Sequence, residues 1–282
     1  MQPVTASRSL SRARVVAVTG ADAAERDEAL AGEEPLEIRA CGPGQDPVGI
    51  AVTMRTPGDE GSLATGFLVS EGLVAPSELA AVRFEVGDPA AMAQPENEIT
   101  VRLAQRFDAS RVASRNFVAT ASCGICGKAS VDDIVQRCET LPDGPVIARA
   151  TLLGLPAAMR QAQEVFASTG GLHASALFTS EGQLRALRED VGRHNALDKL
   201  IGAMALSGEL PLHGSLLLVS GRVSFEIVQK AAVAGLAVIV AVSAPSSLAV
   251  ATARRLGLTL VGFVRDGSAN VYTGRERIDL DA

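Results

Sequence analysis

The segment 216–264 constrains the fold most strongly, because it alternates short apolar stretches with stretches typical of capped helices. The apolar stretches are 216–220, 236–243 and 258–264. They have the length of strands and no polar face, which is typical of strands buried on both sides. The intervening stretches carry serine at the expected N-cap and glycine after the last turn, namely Ser224 with Gly235, and Ser246 or Ser247 with Gly257. This order predicts a parallel sheet with helices on both faces.

The carboxyl ends of these strands are the expected ligand site, because ligands of such sheets bind outside that edge. Gly221 and Arg222 follow the first strand and precede a helix N-terminus, where backbone N–H groups and a guanidinium can hold phosphate. Arg265 ends the last strand beside a turn at 266–267, so we expect two cations on one edge. An ordinary β-α turn with a solvated arginine remains the alternative for Arg222.

A helix is predicted over 195–206, just before this segment, because its apolar residues share one face. Arg193, His194 and Asn195 stand at its start. They are either a polar cluster for guanine or phosphate groups, or simple capping residues. Helical spacing over 151–169 and strands over 172–179 and 184–188 complete this half of the chain.

Several other polar residues and cysteines have plainer interpretations. His173 opens a strand, where a satisfied core or edge histidine is the alternative to a functional one. Glu226 and Lys230 stand four apart on a predicted helix and indicate an ordinary surface ion pair. Cys138 is expected to be a buried helix residue, and Cys41 has no assigned role.

The first half of the chain is rich in alternating, strand-like stretches, namely 36–40, 48–56, 82–86 and 98–103. No crossover helix separates the last two, so we expect a hairpin in a mixed or antiparallel sheet. Ser62 is the expected cap of a short helix that ends at Ser70. We divide the chain into a disordered or poorly ordered tail, a strand-rich α+β domain, a connector and an α/β domain, over residues 1–33, 34–115, 116–149 and 150–282.

The connector contains Cys123 and Cys126, three residues apart in a loop with Gly124 and Gly127. Two such thiols can approach closely, and Lys128 favours a thiolate, so the pair indicates sulfur or redox chemistry. A structural zinc site would need four ligands, and the sequence patterns of zinc deaminases are absent. A thioredoxin-like pair would begin a helix directly after a strand. A persulfide-carrying loop fits best, while zinc and simple redox chemistry stay open.

The composition narrows the class of partner. The chain of 282 residues carries a net charge of −6 and has no Trp and one Tyr, so the basic footprint and aromatic platforms of nucleic-acid binders are missing. An anionic ligand would therefore need a local cationic patch. Sparse cysteines, short apolar stretches and the lack of a signal-peptide pattern predict a reduced, cytoplasmic protein without a membrane span. No structural metal is expected.

Nine short segments, in order over about residues 34–275, together resemble the formate dehydrogenase accessory protein family, FdhD. The longest is Arg188-Glu-Asp-Val-Gly-Arg-His-Asn-Ala-Leu-Asp-Lys199. The others are 54–57, 66–67, 70–72, 122–128, 170–175, 220–230, 243–248 and 262–265 with 270–272.

This resemblance implies a sulfur carrier or sulfurtransferase that moves persulfide sulfur from a cysteine desulfurase to a molybdenum cofactor. That cofactor carries two guanine dinucleotides (Mo-bis-molybdopterin guanine dinucleotide) and then serves formate dehydrogenase. The resemblance implies Cys123 as the persulfide carrier with Cys126 in support, a homodimer, and a three-layer C-terminal part similar to cytidine deaminase. The expected cofactor-binding residues are Gly262, Phe263, Val264, Arg265, Asp266, Gly267, Arg222 and His194. A thiol–disulfide oxidoreductase and a non-catalytic cofactor chaperone remain alternatives.

Overall fold

The computed structural model describes residues 8–113 and 144–281. Its strands are β1 (Leu10–Thr19), β2 (Asp22–Ala31), β3 (Glu34–Cys41), β4 (Val48–Arg55), β5 (Arg83–Val86), β6 (Glu98–Arg102), β7 (Ile147–Ala148), β8 (His173–Phe178), β9 (Leu184–Asp190), β10 (Leu216–Val219), β11 (Val238–Ala241), β12 (Thr259–Arg265), β13 (Ser268–Thr273) and β14 (Ile278–Asp279). The helices are α1 (Glu60–Ser70), α2 (Ser110–Ala113), α3 (Arg149–Ala162), α4 (Glu164–Thr169), α5 (Arg193–Leu206), α6 (Phe225–Val233) and α7 (Ser247–Arg255). Several sheets together with these helices confirm the α/β class.

The strands β1 and β2 form an antiparallel hairpin in a segment predicted to be a disordered or poorly ordered tail. The prediction is therefore wrong for residues 10–31. The segment is polar in composition, but three β-branched valines in β1 favour an extended backbone, and Gly20 supplies the positive φ that the turn needs. The base of the hairpin is closed by the N–H of Gly32, which donates to the carbonyl of Ser9 (2.8 Å).

The four-stranded sheet has the order β4-β3-β6-β5. Its central pair β3–β6 is parallel and its two outer pairs are antiparallel, which confirms a mixed sheet and the β5–β6 hairpin. Leu36, Ile38 and Ala40 occupy alternate positions of β3 and are fully buried. One face of the sheet therefore belongs to the core, and the other carries ion pairs such as Arg39 with Glu98.

The six-stranded sheet has the order β13-β12-β11-β10-β8-β9. Strands β10, β11 and β12 are parallel, as the sequence predicts. Antiparallel pairing extends this centre on both sides, with β8 and β9 on one side and β13 on the other. Leu217 packs in one core cluster with α5, α6 and α7, and the adjacent Leu216 packs in a second cluster with α3. Helices thus cover both faces, which explains why the central strands are apolar throughout.

Two helix boundaries differ from the sequence prediction. Helix α1 begins at Glu60, after Asp59 at its N-cap, so Ser62 lies in its first turn and is not the cap. The helical stretch predicted over 151–169 is two helices, because Gln163 leaves the helical conformation between α3 and α4. Among the helices of residues 8–113 and 144–281, none has the length and apolar character needed to cross a membrane.

The two halves of the chain meet where α1 crosses α5 at a pair of glycines. A Cβ added to Gly66 would lie 1.8 Å from the Asp198 carbonyl oxygen, and one added to Gly202 would lie 1.8 Å from that of Ser62. The backbones therefore touch directly, as only glycine allows. One core cluster runs from Leu63 of α1 through this crossing to α5 and the six-stranded sheet. The predicted domain boundaries themselves stay a prediction.

Candidate functional site

One edge of the six-stranded sheet, which we call the rim, collects the polar ends of five strands. Strands β10, β11 and β12 end there because they are parallel. Strand β8 begins and β9 ends at the same edge because β8 is antiparallel to both β10 and β9. The residues brought to the rim are His173, Asp190, 220–222, 243–246 and 262–265. The predicted gathering of candidate ligand groups at this edge therefore includes residues from β8 and β9 as well.

Helices α5, α6 and α7 begin at the rim, because each follows a strand that ends there. First-turn N–H groups have no acceptor within their own helix, so helix N-termini attract anions. At α7 the side chain of Ser246 accepts a hydrogen bond from the N–H of Ala249 (3.2 Å), which confirms this predicted cap. Ser224 and Gly192 hold the N-cap positions of α6 and α5, but neither makes a side-chain cap bond. First-turn N–H groups of α5 are thus left without a side-chain cap, whereas in α6 the carboxylate of Glu226 accepts from its own N–H.

Asp190 anchors the start of α5. Its Oδ1 accepts hydrogen bonds from the N–H of Gly192 (2.8 Å) and from Nδ2 of Asn195 (3.1 Å). Its Oδ2 lies 2.8 Å from Nζ of Lys199, and both residues are almost fully buried. Because a buried carboxylate needs such partners, Asp190 is committed to the structure and is not free to bind a ligand.

Residues in and just before α5 also hydrogen-bond to the end of β4. Nζ of Lys199 donates to the carbonyl of Thr56 (2.8 Å), whose N–H donates to Oδ2 of Asp190 (3.1 Å). Nδ2 of Asn195 donates to the carbonyl of Met54 (2.7 Å). Asn195 is therefore an anchoring residue, which the sequence could not separate from its neighbours. The anchors fix the backbone that presents Arg193 and His194 at the rim.

A group of cations surrounds His173 at the rim. Burial lowers the pKa of His173, and nearby Arg193, His194 and Arg222 lower it further, while Asp190 acts in the opposite direction. A Cβ added to Gly221 would lie 3.2 Å from Nδ1 of His173 and 3.5 Å from Cδ of Arg193, so these groups are in close contact. The structure thus brings together the predicted residues Arg193, His194 and Arg222.

Neither Arg193 nor Arg222 is neutralised by an acid of the described chain. The buried Nε of Arg193 has no hydrogen-bond partner there, and Arg222 is exposed after β10. A buried N–H of a guanidinium without an acceptor is costly unless a ligand or water supplies one. The arginines therefore leave positive charge at the rim available to an anion.

His194 contacts α6 through one nitrogen. Its Nε2 lies 3.2 Å from Oγ of Ser224 and 3.5 Å from Oε2 of Glu226. The Ser224 hydroxyl donates to the same carboxylate oxygen (2.5 Å). The hydrogen bond with His194 and that with Ser224 hold the pKa of Glu226 at about 2, against the opposing effect of burial. Sequence reasoning missed Glu226 as a partner of His194.

The predicted surface ion pair between Glu226 and Lys230 is wrong, because the two side chains point to different partners. Nζ of Lys230 lies 2.9 Å from Asp198 and 3.0 Å from Glu71, and it donates to Oγ of Ser70 (2.8 Å). Burial alone would lower the pKa of Lys230, but the two carboxylates raise it. Lys230 is a buried bridge between α1, α5 and α6.

The predicted cofactor segment 262–267 forms the projecting β12–β13 hairpin. A Cβ added to Gly262 would lie 2.9 Å from Cδ of Pro245, so only glycine fits there. Phe263 has a φ of 55°, which is rare for a bulky side chain, and its N–H donates to the carbonyl of Ser243 (3.1 Å). Such backbone strain is common at functional sites.

The remaining residues of this segment differ in exposure. Val264 is fully buried in the core, so only its backbone could reach a ligand. Arg265 is exposed, and its guanidinium carbon lies 5.7 Å from the ring centre of Phe263. Asp266 and Gly267 form the turn with positive φ values. Arg265 therefore stands at the tip of a hairpin beyond the sheet edge, while His194 and Arg222 lie at the edge itself.

Cys123 and Cys126 lie outside the described residues, as does Cys138. Cys41 is buried, and Nη1 of Arg102 lies 3.2 Å from its sulfur. Over residues 8–113 and 144–281, no group of three or more His, Cys, Asp or Glu side chains is arranged to hold a metal ion. The predictions for the cysteine pair and for the lack of a structural metal therefore stay predictions.

Comparison with known proteins identifies a family and several relatives. Residues 31–279 match the model of the FdhD/NarQ family. The chain is 47% identical over 272 residues to "Sulfur carrier protein FdhD" of Mycolicibacterium paratuberculosis, covering 95% of this chain and 98% of that protein. It is 48% identical over 280 residues to the protein of the same name from Streptomyces avermitilis, covering 98% of each.

A solved structure has a similar fold. The crystal structure of a formate dehydrogenase accessory protein from Desulfotalea psychrophila superposes with a TM-score of 0.72 at 25% sequence identity. The match covers 96% of this chain and 99% of that chain. Both the sequence relatives and the structural relative therefore extend over nearly the whole length.

Proposed function

Because this chain belongs to the FdhD/NarQ family, we propose that it is a sulfur carrier that moves persulfide sulfur from a cysteine desulfurase to the molybdenum cofactor of formate dehydrogenase. The observation that carries the proposal is the match to relatives named sulfur carrier proteins at nearly half identity along the chain. A cofactor with two guanine dinucleotides is the substrate in this proposal. The same proposal includes catalytic activity as a sulfurtransferase.

Cys123 would receive the sulfur. Its thiolate attacks the terminal sulfur of the desulfurase persulfide, the old S–S bond breaks, and the desulfurase cysteine leaves as a thiolate. Cys123 then carries the terminal sulfur as its own persulfide. Cys126 stands three residues away and Lys128 five, where the thiol and the positive charge could support the thiolate.

The rim is the proposed binding surface for the cofactor. Arg193, Arg222 and His194 would bind its phosphate groups together with the uncapped first-turn N–H groups of α5. The buried, unpaired Nε of Arg193 supports this fit. The hairpin segment 262–267 would close one side of the ligand through its backbone and through Arg265. With a net charge of −6, the chain needs such a local patch to hold a polyanion.

Four further features belong to the proposal. We infer a homodimer, a cytoplasmic location, association with a desulfurase and with formate dehydrogenase, and a C-terminal layering similar to cytidine deaminase. The last is supported by a mixed sheet with helices on both faces. The structural relative is itself described as a formate dehydrogenase accessory protein, which supports the link to that enzyme.

The proposal is tested by intact mass measurement after incubation with a cysteine desulfurase and cysteine. We expect a gain of one sulfur atom that reducing agent removes and that Cys123→Ala abolishes. Cys138→Ser is the matched control, since it removes a thiol from the same stretch of chain and should keep the gain. A disulfide without added sulfur would indicate a thiol–disulfide oxidoreductase, and no change at Cys123 would indicate a chaperone. Either result would overturn sulfur transfer.

A further inference from the structure

Ser224 fixes which nitrogen of His194 carries a proton. The Ser224 hydroxyl has a single hydrogen, and its 2.5 Å bond to Glu226 uses that hydrogen. Its oxygen can then only accept from Nε2 of His194, 3.2 Å away. Nε2 of His194 is therefore an N–H donor, directed at the serine oxygen and the carboxylate. Nδ1 is left as the second polar atom of the ring, and no described residue hydrogen-bonds to it.

We propose that Glu226 is a positioning residue that, with Ser224, holds Nε2 of His194, so that the protonated imidazole presents its Nδ1–H to a phosphate of the cofactor at the rim. This inference rests on the proposed function, because it takes the guanine dinucleotide as the ligand. Glu226 itself does not touch the ligand. It acts through the imidazole, whose Nε2 lies 3.5 Å from its carboxylate and 3.2 Å from the Ser224 hydroxyl.

The charges around the imidazole allow a test of this role by whether a substitution of Glu226 strengthens or weakens anion binding. Glu226 faces His194 from α6 and His173 interacts with it from β8, while Arg193, Arg222 and Asp190 interact in turn with His173. A carboxylate beside a phosphate site repels the ligand, so replacing a merely repulsive glutamate by glutamine strengthens anion binding. Replacing a positioning glutamate by glutamine has the opposite effect and weakens anion binding, because the imidazole N–H donor is then no longer held in place.

His173 does not provide the same donor. Burial and its cationic neighbours lower the pKa of His173, so its neutral form is favoured at neutral pH. His213 lies at the opposite end of β10 and contacts the carbonyl of Gly235 through Nδ1 (3.1 Å). Of the three histidines in the chain, only His194 combines a carboxylate partner with a free second nitrogen at the rim.

The experiment is a calorimetric titration of the full chain with GDP-mannose. In this guanine nucleotide each phosphate has one ester bond and shares the anhydride bond, so the charge of the ligand is constant near neutral pH and the measurement reports on the protein. The variants are Glu226→Gln, His194→Ala and the double variant. Glu181→Gln is the matched control, because Glu181 lies in the β8–β9 turn at the end of the sheet away from the rim.

We expect Glu226→Gln and His194→Ala each to weaken binding by about tenfold, the value of one hydrogen bond to a charged group. In the His194→Ala background, Glu226→Gln should cause no further loss, because the residue acts only through the imidazole. Glu181→Gln should bind like the wild type. Equal or tighter binding by Glu226→Gln overturns the inference, and so does a loss that persists in full without His194.

Ser224→Ala provides a second variant in case Glu226→Gln unfolds. It removes the bridging hydroxyl without changing any charge, so weaker binding follows from lost orientation alone, and unchanged binding contradicts the inference. Nitrogen NMR of the three histidines adds a spectroscopic signature. The Nε2 signal of His194 should move in Glu226→Gln while that of His213 stays in place; an unmoved His194 signal excludes the contact.

The binding test and the sulfur test fail independently. Wild-type protein that gains sulfur at Cys123 but does not bind GDP-mannose would overturn the rim as the binding surface, and the role of Glu226 with it. Wild-type protein that binds GDP-mannose with no loss in Glu226→Gln would overturn the role of Glu226 alone. Sulfur transfer through Cys123 is unaffected by either result, because its readout is a mass.

Discussion

Gly202 should tolerate no side chain, because it forms the closest contact between α1 and α5. The Cβ of Gly202→Ala would lie 1.8 Å from the carbonyl oxygen of Ser62 and 2.6 Å from the backbone nitrogen of Gly66. Real Cβ atoms essentially never approach closer than 3.0 Å, so the helices must separate by about 1.2 Å. Both obstructing groups are backbone, and no side-chain rotation can relieve the contact.

The magnitude follows from what that separation does to the interface. A gap of about 0.5–1 Å forfeits roughly a quarter to a half of the dispersion energy of each contact across it. The contacts at risk belong to fully buried residues on both helices, such as Leu63 and Leu197. Overpacking of a core typically costs about 1–3 kcal/mol. With rigid backbone on both sides, we expect Gly202→Ala to lose about 3 kcal/mol of the free energy of unfolding.

The assay is urea denaturation followed by circular dichroism, with the free energy taken by linear extrapolation. Gly154→Ala is the matched control, since Gly154 lies in α3 with nothing within 4 Å of an added Cβ. This control should be stabilised by about 0.5–1 kcal/mol, because alanine favours the helix. If Gly202→Ala unfolds within about 1 kcal/mol of the wild type, the reasoning from direct backbone contact is refuted.

Two further predictions concern charged side chains. Lys230→Met should lower the free energy of unfolding by about 3–5 kcal/mol, because it leaves the buried Asp198 without its cation, whereas a surface pair would cost less than about 1 kcal/mol in the same denaturation experiment. The pKa of Glu226 is lowered to about 2 in the folded protein, from an ordinary value of 4.5. Its ionised form therefore stabilises the fold at any pH above 4.5, and this contribution is lost as the pH falls through about 2. The stability difference between wild type and Glu226→Gln should therefore shrink as the pH falls from 4.5 through about 2; a difference that grows over this range would contradict this sign.

The sequence predicted the part of the fold that depends on local pattern. Continuous apolar strands and serine-capped helices predicted β10, α6, β11, α7 and β12 in their observed order, because strand burial and helix capping depend on neighbouring residues. Parallel strands bring their carboxyl ends to one edge whatever the rest of the fold, so the rim followed as well. The position of Arg222 at that edge needed no distant contact to be foreseen, whereas His194 lies there because β8 pairs with both β10 and β9.

The predictions that were wrong concern features that depend on contacts between residues far apart in the sequence. The segment of β1 and β2 has a polar composition, and no apolar face in its sequence indicates that the two strands pair with each other. Glu226 and Lys230 have the spacing of a helical ion pair, but packing turned Lys230 inward to α1 and α5 and turned Glu226 to His194. Spacing along a helix shows which side chains could meet, and tertiary packing decides whether they do.

The charge of the whole chain and the charge of the rim are opposite for a structural reason. The chain carries −6, yet the two acids beside the cations of the rim already have partners. Asp190 is held by Lys199 and by backbone N–H groups, and Glu226 is held by His194 and Ser224. Arg193 and Arg222 have no such acid among the residues that the structure describes. A polyanion approaching the rim therefore meets unneutralised cations and helix N-termini, and an acidic protein can hold it without a basic surface elsewhere.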